Sequence, residues 1–209
     1  RQMCIRDSVD TAHRKDIPDN GDAETGWTSS LDTADAIAVY HLDEPSWSGS
    51  AGEVVNSRTN AHHGQRVGGA TTSGGLLLNA GVFDGTNDFV TIPDDPALSN
   101  LTQFTLSAWV DVRSTPSANW ARVISKANST GNDDYMLAID NIGQGACGID
   151  TDAADTELQG TTDIMLTGWH HVACTWDGTN LRIYVDGVEE NSTVNAGNIN
   201  QTGDVLTIG

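Results

Sequence analysis

Along most of the chain, apolar residues recur with a period of two. From Phe104 to Val112, Phe104, Leu106, Ala108, Val110 and Val112 fall on one side, and Thr105, Ser107, Trp109 and Asp111 on the other. That is the alternation of a half-buried strand. Short apolar runs recur at the spacing of about 8–12 residues expected of a β-sandwich. After Leu76-Leu77-Leu78 come Gly81-Val82-Phe83, residues 89–93, 123–126, 135–140 and 146–150. Turn formers separate them at residues 84–88, 128–132 and 141–145, where Asp, Asn and Gly tolerate the tight backbone that hairpins need. In the clearest hairpin, Trp169–Trp176 meets residues 181–185 through Asp177-Gly178-Thr179-Asn180, and Asp186-Gly187 opens another tight turn into Val188.

The N-terminal part reads differently. Residues 1–8 carry two Arg and a Cys in a chain poor in both, and do not open with Met. They read as an assembly scar and are left out of the fold. Residues 9–33 are polar around Pro18-Asp19-Asn20-Gly21-Asp22, with Trp27 as the large apolar anchor, and read as a linker or the tail of a preceding domain. At residues 36–42 the character changes to a compact apolar strand, so the domain is placed at 34–209. A loop over 46–75, containing His62 and His63, is too dense in turn formers for a long regular element.

Composition narrows the function classes. The 209 residues hold 22 Gly and are 37% hydrophobic, suiting one all-β domain better than a helical one. Ten Lys plus Arg against 29 Asp plus Glu give a net charge of −19. Such a surface repels nucleic-acid phosphates and anionic lipid, so neither is an expected partner. No apolar run is long enough for membrane insertion. Cys4, Cys147 and Cys174 make neither a disulfide framework nor a zinc spacing. Cys147 and Cys174 either pair, if their strands are neighbours, or are two small buried side chains; the sequence leaves both open.

Three ordered motifs carry a family resemblance. Residues 82–93 (Val-Phe-Asp-Gly-Thr-Asn-Asp-Phe-Val-Thr-Ile-Pro) resemble the opening signature of laminin-G-like jelly-roll domains of the concanavalin A-like lectin/glucanase superfamily. Residues 104–110 resemble the strand that follows. Residues 168–178, with 181–187, are similar to the pattern that identifies the group most strongly. The resemblance implies an antiparallel two-sheet jelly-roll β-sandwich. Members of the group continue past the segment matched here by residues 206–209 into a further strand, so this chain is expected to lack its last strand.

Candidate chemistry is sparse. Asp84, Asn87 and Asp88 set three oxygen-bearing side chains around Gly85, a set suited to Ca²⁺, and the resemblance to a group with calcium-binding members supports that reading. The alternative is an ordinary turn in which the side chains bond their own backbone. Trp47, Trp120, Trp169 and Trp176 invite a sugar-stacking reading, most of them being read as structural and Trp176 as core; Trp120, in a loop with Ser117, Ala118 and Asn119, is the candidate for sugar contact, with loop anchoring as the alternative. Glycanases of this architecture need carboxylates alternating on one strand, whereas Glu157, Glu189 and Glu190 sit in turn-like sequence. No catalytic residue is named and no enzyme activity is expected. His170 and His171 belong to the strand signature. The resemblance thus points to a calcium-assisted, non-catalytic recognition or adhesion module. Its partner would be a glycan or extracellular protein, and its setting a secreted or surface-anchored, bacterial multidomain protein whose other domains are further partners. A structural spacer, or an accessory carbohydrate-binding piece of a polysaccharide-degrading enzyme, are the alternatives.

Overall fold

The computed structural model describes residues 3–6, 36–99, 101–116, 120–127 and 133–209. The strands are β1 Met3–Arg6, β2 Gln65–Val67, β3 Thr71–Gly74, β4 Asn79–Phe83, β5 Phe89–Ile92, β6 Phe104–Val112, β7 Trp120–Ala127, β8 Asp133–Asp140, β9 Gln144–Asp150, β10 Asp155–Asp163, β11 Trp169–Trp176, β12 Asn180–Val185, β13 Val188–Val194 and β14 Leu206–Ile208. One short helix, α1 Pro96–Ser99, lies between β5 and β6. Two seven-stranded sheets result, ordered β13-β12-β11-β6-β1-β4-β3 and β10-β9-β8-β7-β14-β5-β2. Their ladders are antiparallel. The architecture is the jelly-roll sandwich expected from the sequence.

The alternation in sequence becomes the division between core and surface. On β6, Ala108, Val110 and Val112 are buried while Ser107, Trp109 and Asp111 are half-buried. On β11, Val172, Cys174 and Trp176 face inward, so Trp169, His171 and Thr175, two residues apart, share the opposite face. Phe83, Val110, Val172 and Ile183 of the first sheet meet Val90, Leu137, Ile139 and Ile149 of the second in one core. Phe104 links Tyr135 and Trp176, its ring centroid 5.3 and 6.0 Å from theirs. The two alternatives for the cysteines are decided: Cys147 on β9 is disulfide-bonded to Cys174 on β11, joining the two sheets through the core.

A buried cation ties the loops to the second sheet. Lys126, wholly buried near the end of β7, places Nζ 2.8 Å from Asp94 Oδ1 and 3.8 Å from Asp134 Oδ2, and donates to the Asp204 carbonyl. Asp134 is 1% exposed, and its burial pushes its pKa above the ordinary value. Segments 93–99 and 200–204 are thereby fastened to one ammonium, which compensates the Asp134 carboxylate, costly to bury alone.

Several expectations are corrected. Residues 36–42 form no strand: among the described residues Tyr40 makes one isolated bridge, to Asn56, and Tyr40 and Leu42 serve as core fillers. The 46–75 loop contains β2 and β3 near its end. Leu76-Leu77-Leu78 is an exposed tip between β3 and β4. Glu157 lies on β10, and Glu189 and Glu190 on β13, rather than in turns. Glu190 accepts hydrogen bonds from the backbone amides of Thr161 and Thr162, and Asn191 Nδ2 donates to the Gln159 carbonyl. These bonds stitch together an edge of each sheet, a place where unpaired backbone invites association. Within the stretch left out of the fold, Met3–Arg6 pairs with β4 on one side and β6 on the other. Two strand edges offering main-chain groups accept such a segment whatever its origin. The proposed linker at 9–33 and the turn at 128–132 lie outside the described residues.

Candidate functional site

The structure brings Asp84, Asn87 and Asp88 into one turn, where the carboxylates are occupied by backbone amides. Asp84 Oδ1 accepts from the amides of Thr86 (2.8 Å) and Asn87 (3.2 Å). These bonds, the Thr86 amide foremost, hold its carboxyl below the usual value. Asp88 accepts from the amides of Gly69 and Asp84, tying the β2–β3 connection to this turn. Among the described residues, no group of three or more His, Cys, Asp and Glu side chains is set to hold a metal ion. The loop histidines are structural: His63 Nδ1 accepts the Asn56 amide, and the Tyr40 hydroxyl donates to the His62 carbonyl. Trp120 opens β7 instead of standing in a loop, and is half-buried on the outward face of the second sheet against Met136, Ala138 and Ala146. Its neighbours 117–119 lie outside the described residues.

A larger aromatic surface lies on the outward face of the first sheet. Trp109 on β6 pairs in register with His171 on β11, and Asp111 with Trp169. The Trp109 and His171 rings lie 5.6 Å apart at 56°. In the next row Ser107 pairs with Ala173, and Ala173 with Tyr184. Trp109, Trp169, His171 and Tyr184 are all half-buried, each set by strand alternation opposite a core residue. Ala173 supplies a small floor between Ser107 and Tyr184. The β6 alternation had placed Trp109 on the polar face, a signal that could have marked the surface; the β11 alternation held the same signal for Trp169 and His171.

The rim of this face is hydrogen-bonded and carries more carboxylates than guanidiniums. Asp186 and Gly187 both have positive φ, 49° and 81°, the geometry of a type I′ hairpin turn. Asp186 Oδ1 accepts the His171 amide at 2.9 Å, and Oδ2 lies 2.7 Å from His170 Nδ1. His170 Nε2 in turn lies 2.9 Å from Thr167 Oγ1. The start of β11 is thus clamped where it carries Trp169 and His171. Arg113 Nε bonds Asp111 Oδ2 at 2.8 Å. Arg182 bonds Asp177 at 2.7 Å and lies 3.8 Å from Glu189. Tyr184 OH donates to Glu189 at 3.4 Å. A face of rings lying among carboxylates and hydroxyls can stack on the apolar side of a sugar and accept its hydroxyl protons.

The chain belongs to the concanavalin A-like lectin/glucanases superfamily, whose Laminin_G_3 model matches residues 84–209. No curated protein sequence matches it. Among solved structures it is similar to domain 4 of AbnA, a GH43 extracellular arabinanase from Geobacillus stearothermophilus, in complex with arabinotriose. There the TM-score is 0.56 at 18% identity, over 74% of this chain and 76% of that one. It is also similar to the binding domain of botulinum neurotoxin DC in complex with SialylT, with a TM-score of 0.57 at 12% identity, over 78% of this chain and 42% of that one. At these identities the likeness is one of fold. Among the described residues, no helix is long and apolar enough to cross a membrane.

Proposed function

We propose that this domain is a non-catalytic, extracellular glycan-binding module whose site is the outward face of the first sheet. The observation that carries the reading is the register of Trp109 with His171 beside Trp169, with Tyr184 one strand further on. Four half-buried rings sit on a sheet face that faces away from the core, and two of them are held by the clamped start of β11. Stacking would supply the affinity, and Asp111, Glu189 and Ser107 would accept or donate to sugar hydroxyls. The two structural relatives above were solved with glycan-type ligands, and the inter-sheet disulfide suits an oxidising compartment. Calcium at the Asp84–Asp88 turn is not required by this reading. Retardation of the chain in gels cast with plant and bacterial polysaccharides is the test. The proposal expects retardation by at least one polymer; uniform mobility across the panel would favour the spacer reading.

A further inference from the structure

We infer that the glycan taken by this face is uncharged, an inference that rests on the reading of the face as a glycan site and narrows it to a ligand class. An acidic sugar is recognised by a guanidinium or ammonium with donors to spare, presented as a fork to the carboxylate. Among the described side chains of this face, each of the two guanidiniums already has its charge compensated by a carboxylate, which takes part of its fork. Arg113 is bonded to Asp111 at 2.8 Å, and Arg182 is held by Asp177 at 2.7 Å with Glu189 at 3.8 Å. Each pairing leaves the local charge neutral or negative.

The other described side chains that define this face are rings and carboxylates. Glu189, with its side chain 46% exposed, stands beside Tyr184, and Asp186, 50% exposed, closes the row of Trp109 and His171. Hydroxyl groups of a neutral sugar donate to such acceptors, whereas a uronate or sialate would bring like charge against them. The field of the whole chain acts in the same direction, since its net charge is −19. At physiological salt this repulsion reaches over a Debye length of about 8 Å. The aromatic faces make no distinction of charge and favour the C–H side of any sugar ring. Position and sign together select for uncharged polysaccharide. Arg6, which β1 brings into register with Trp109, is the basic residue to control for.

The test is a set of titrations of the full chain with linear arabinan, galactan and fully methyl-esterified polygalacturonate. Opposite them stand de-esterified polygalacturonate, hyaluronan and sialyllactose, all at 0.05 and 0.5 M NaCl. Expected is binding of at least one uncharged polymer at least tenfold tighter than every anionic one. Its affinity should move less than twofold with salt and stay within twofold in Arg6→Gln. An anionic glycan bound as tightly, with affinity falling as salt rises, would overturn the inference while leaving the glycan site intact. Binding of neither class would overturn the glycan site and the inference together.

Discussion

Cys147 on β9 and Cys174 on β11 are bonded across the core with Cα atoms 5.6 Å apart, a covalent link between sheets that also meet through core packing and the β10–β13 hydrogen bonds. The loop they close has a sequence separation of 27. In the chain-entropy account such a link contributes about 3 kcal/mol by restricting the unfolded chain. For a domain of this size that is roughly 6–12 °C in Tm. The Cys147→Ala/Cys174→Ala variant is expected to show that drop by calorimetry, and the wild type to match it under reducing denaturation. Equal Tm values for the two proteins would mean that the bond does not form.

Lys126 makes a second, sharper prediction. Lys126→Met removes the ammonium shared by Asp94, Asp134 and the Asp204 carbonyl, stranding a carboxylate that is 1% exposed. Breaking a buried pair from one side costs about 3–5 kcal/mol. The low end is expected here, because Asp94 retains some contact with water. Adding Asp134→Asn to Lys126→Met should recover part of the loss, since the two positions are energetically coupled. Strictly additive urea midpoints would refute the coupling.

Acid should destabilise the fold. Asp94, Asp152 and Asp177 are each held below the ordinary 3.8, by hydrogen bonds first of all from Lys126, Asn198 and Arg182 respectively. In each case the folded state binds fewer protons than the unfolded chain. Their contribution is therefore present above pH 3.8 and lost as the pH falls through the lower folded values. Asp134 runs the other way: burial raises its pKa, so its contribution is present below the unfolded value and lost as the pH rises through the folded one. The Tm of the wild type should fall below about pH 4. The difference between Asp134→Asn and wild type should move in favour of the variant from pH 4 to 8; movement in the opposite direction would contradict the assigned shift.

Calcium bears on the Asp84–Asp88 turn. Asp84 Oδ1 already accepts two amides, and Asp88 accepts two more. Millimolar CaCl₂ in place of EDTA is therefore expected to shift Tm by less than about 2 °C, since an ion bound only by the native state would raise it by mass action. A rise of several degrees, absent in Asp84→Ala, would establish the metal site.

The parts of the fold legible in the sequence are those whose alternation is strong. Phe104–Val112 and Trp169–Trp176 carry apolar residues at every second position, and both are strands with the expected inner face. β10 escaped because an edge strand needs little apolar content, and Leu158 is its one buried large apolar residue. β2 and β3 likewise contain almost no apolar residues, being Gln-Arg-Val and Thr-Thr-Ser-Gly. Residues 36–42 misled in the opposite sense: Tyr40 and Leu42 bury side chains while little of their backbone joins a sheet, and Leu42 has φ 55°. For the site, alternation placed Trp109 outward, but its meeting with His171 depends on the pairing of β6 with β11. That long-range register is a property of the folded sheet.

The most direct measurement is isothermal titration of a retained polysaccharide into Trp109→Ala, Trp169→Ala and Trp120→Ala, with Tm measured alongside. The first two should bind at least tenfold more weakly, about 1.4 kcal/mol or more, with Tm within about 3 °C of wild type in Trp109→Ala and a larger fall in Trp169→Ala, whose ring packs on the buried Ala80 and Val82. Trp120→Ala, on the other sheet, should bind as the wild type does. Full affinity in Trp109→Ala and Trp169→Ala, or loss of binding in Trp120→Ala alone, would contradict the assignment of the first sheet as the glycan face.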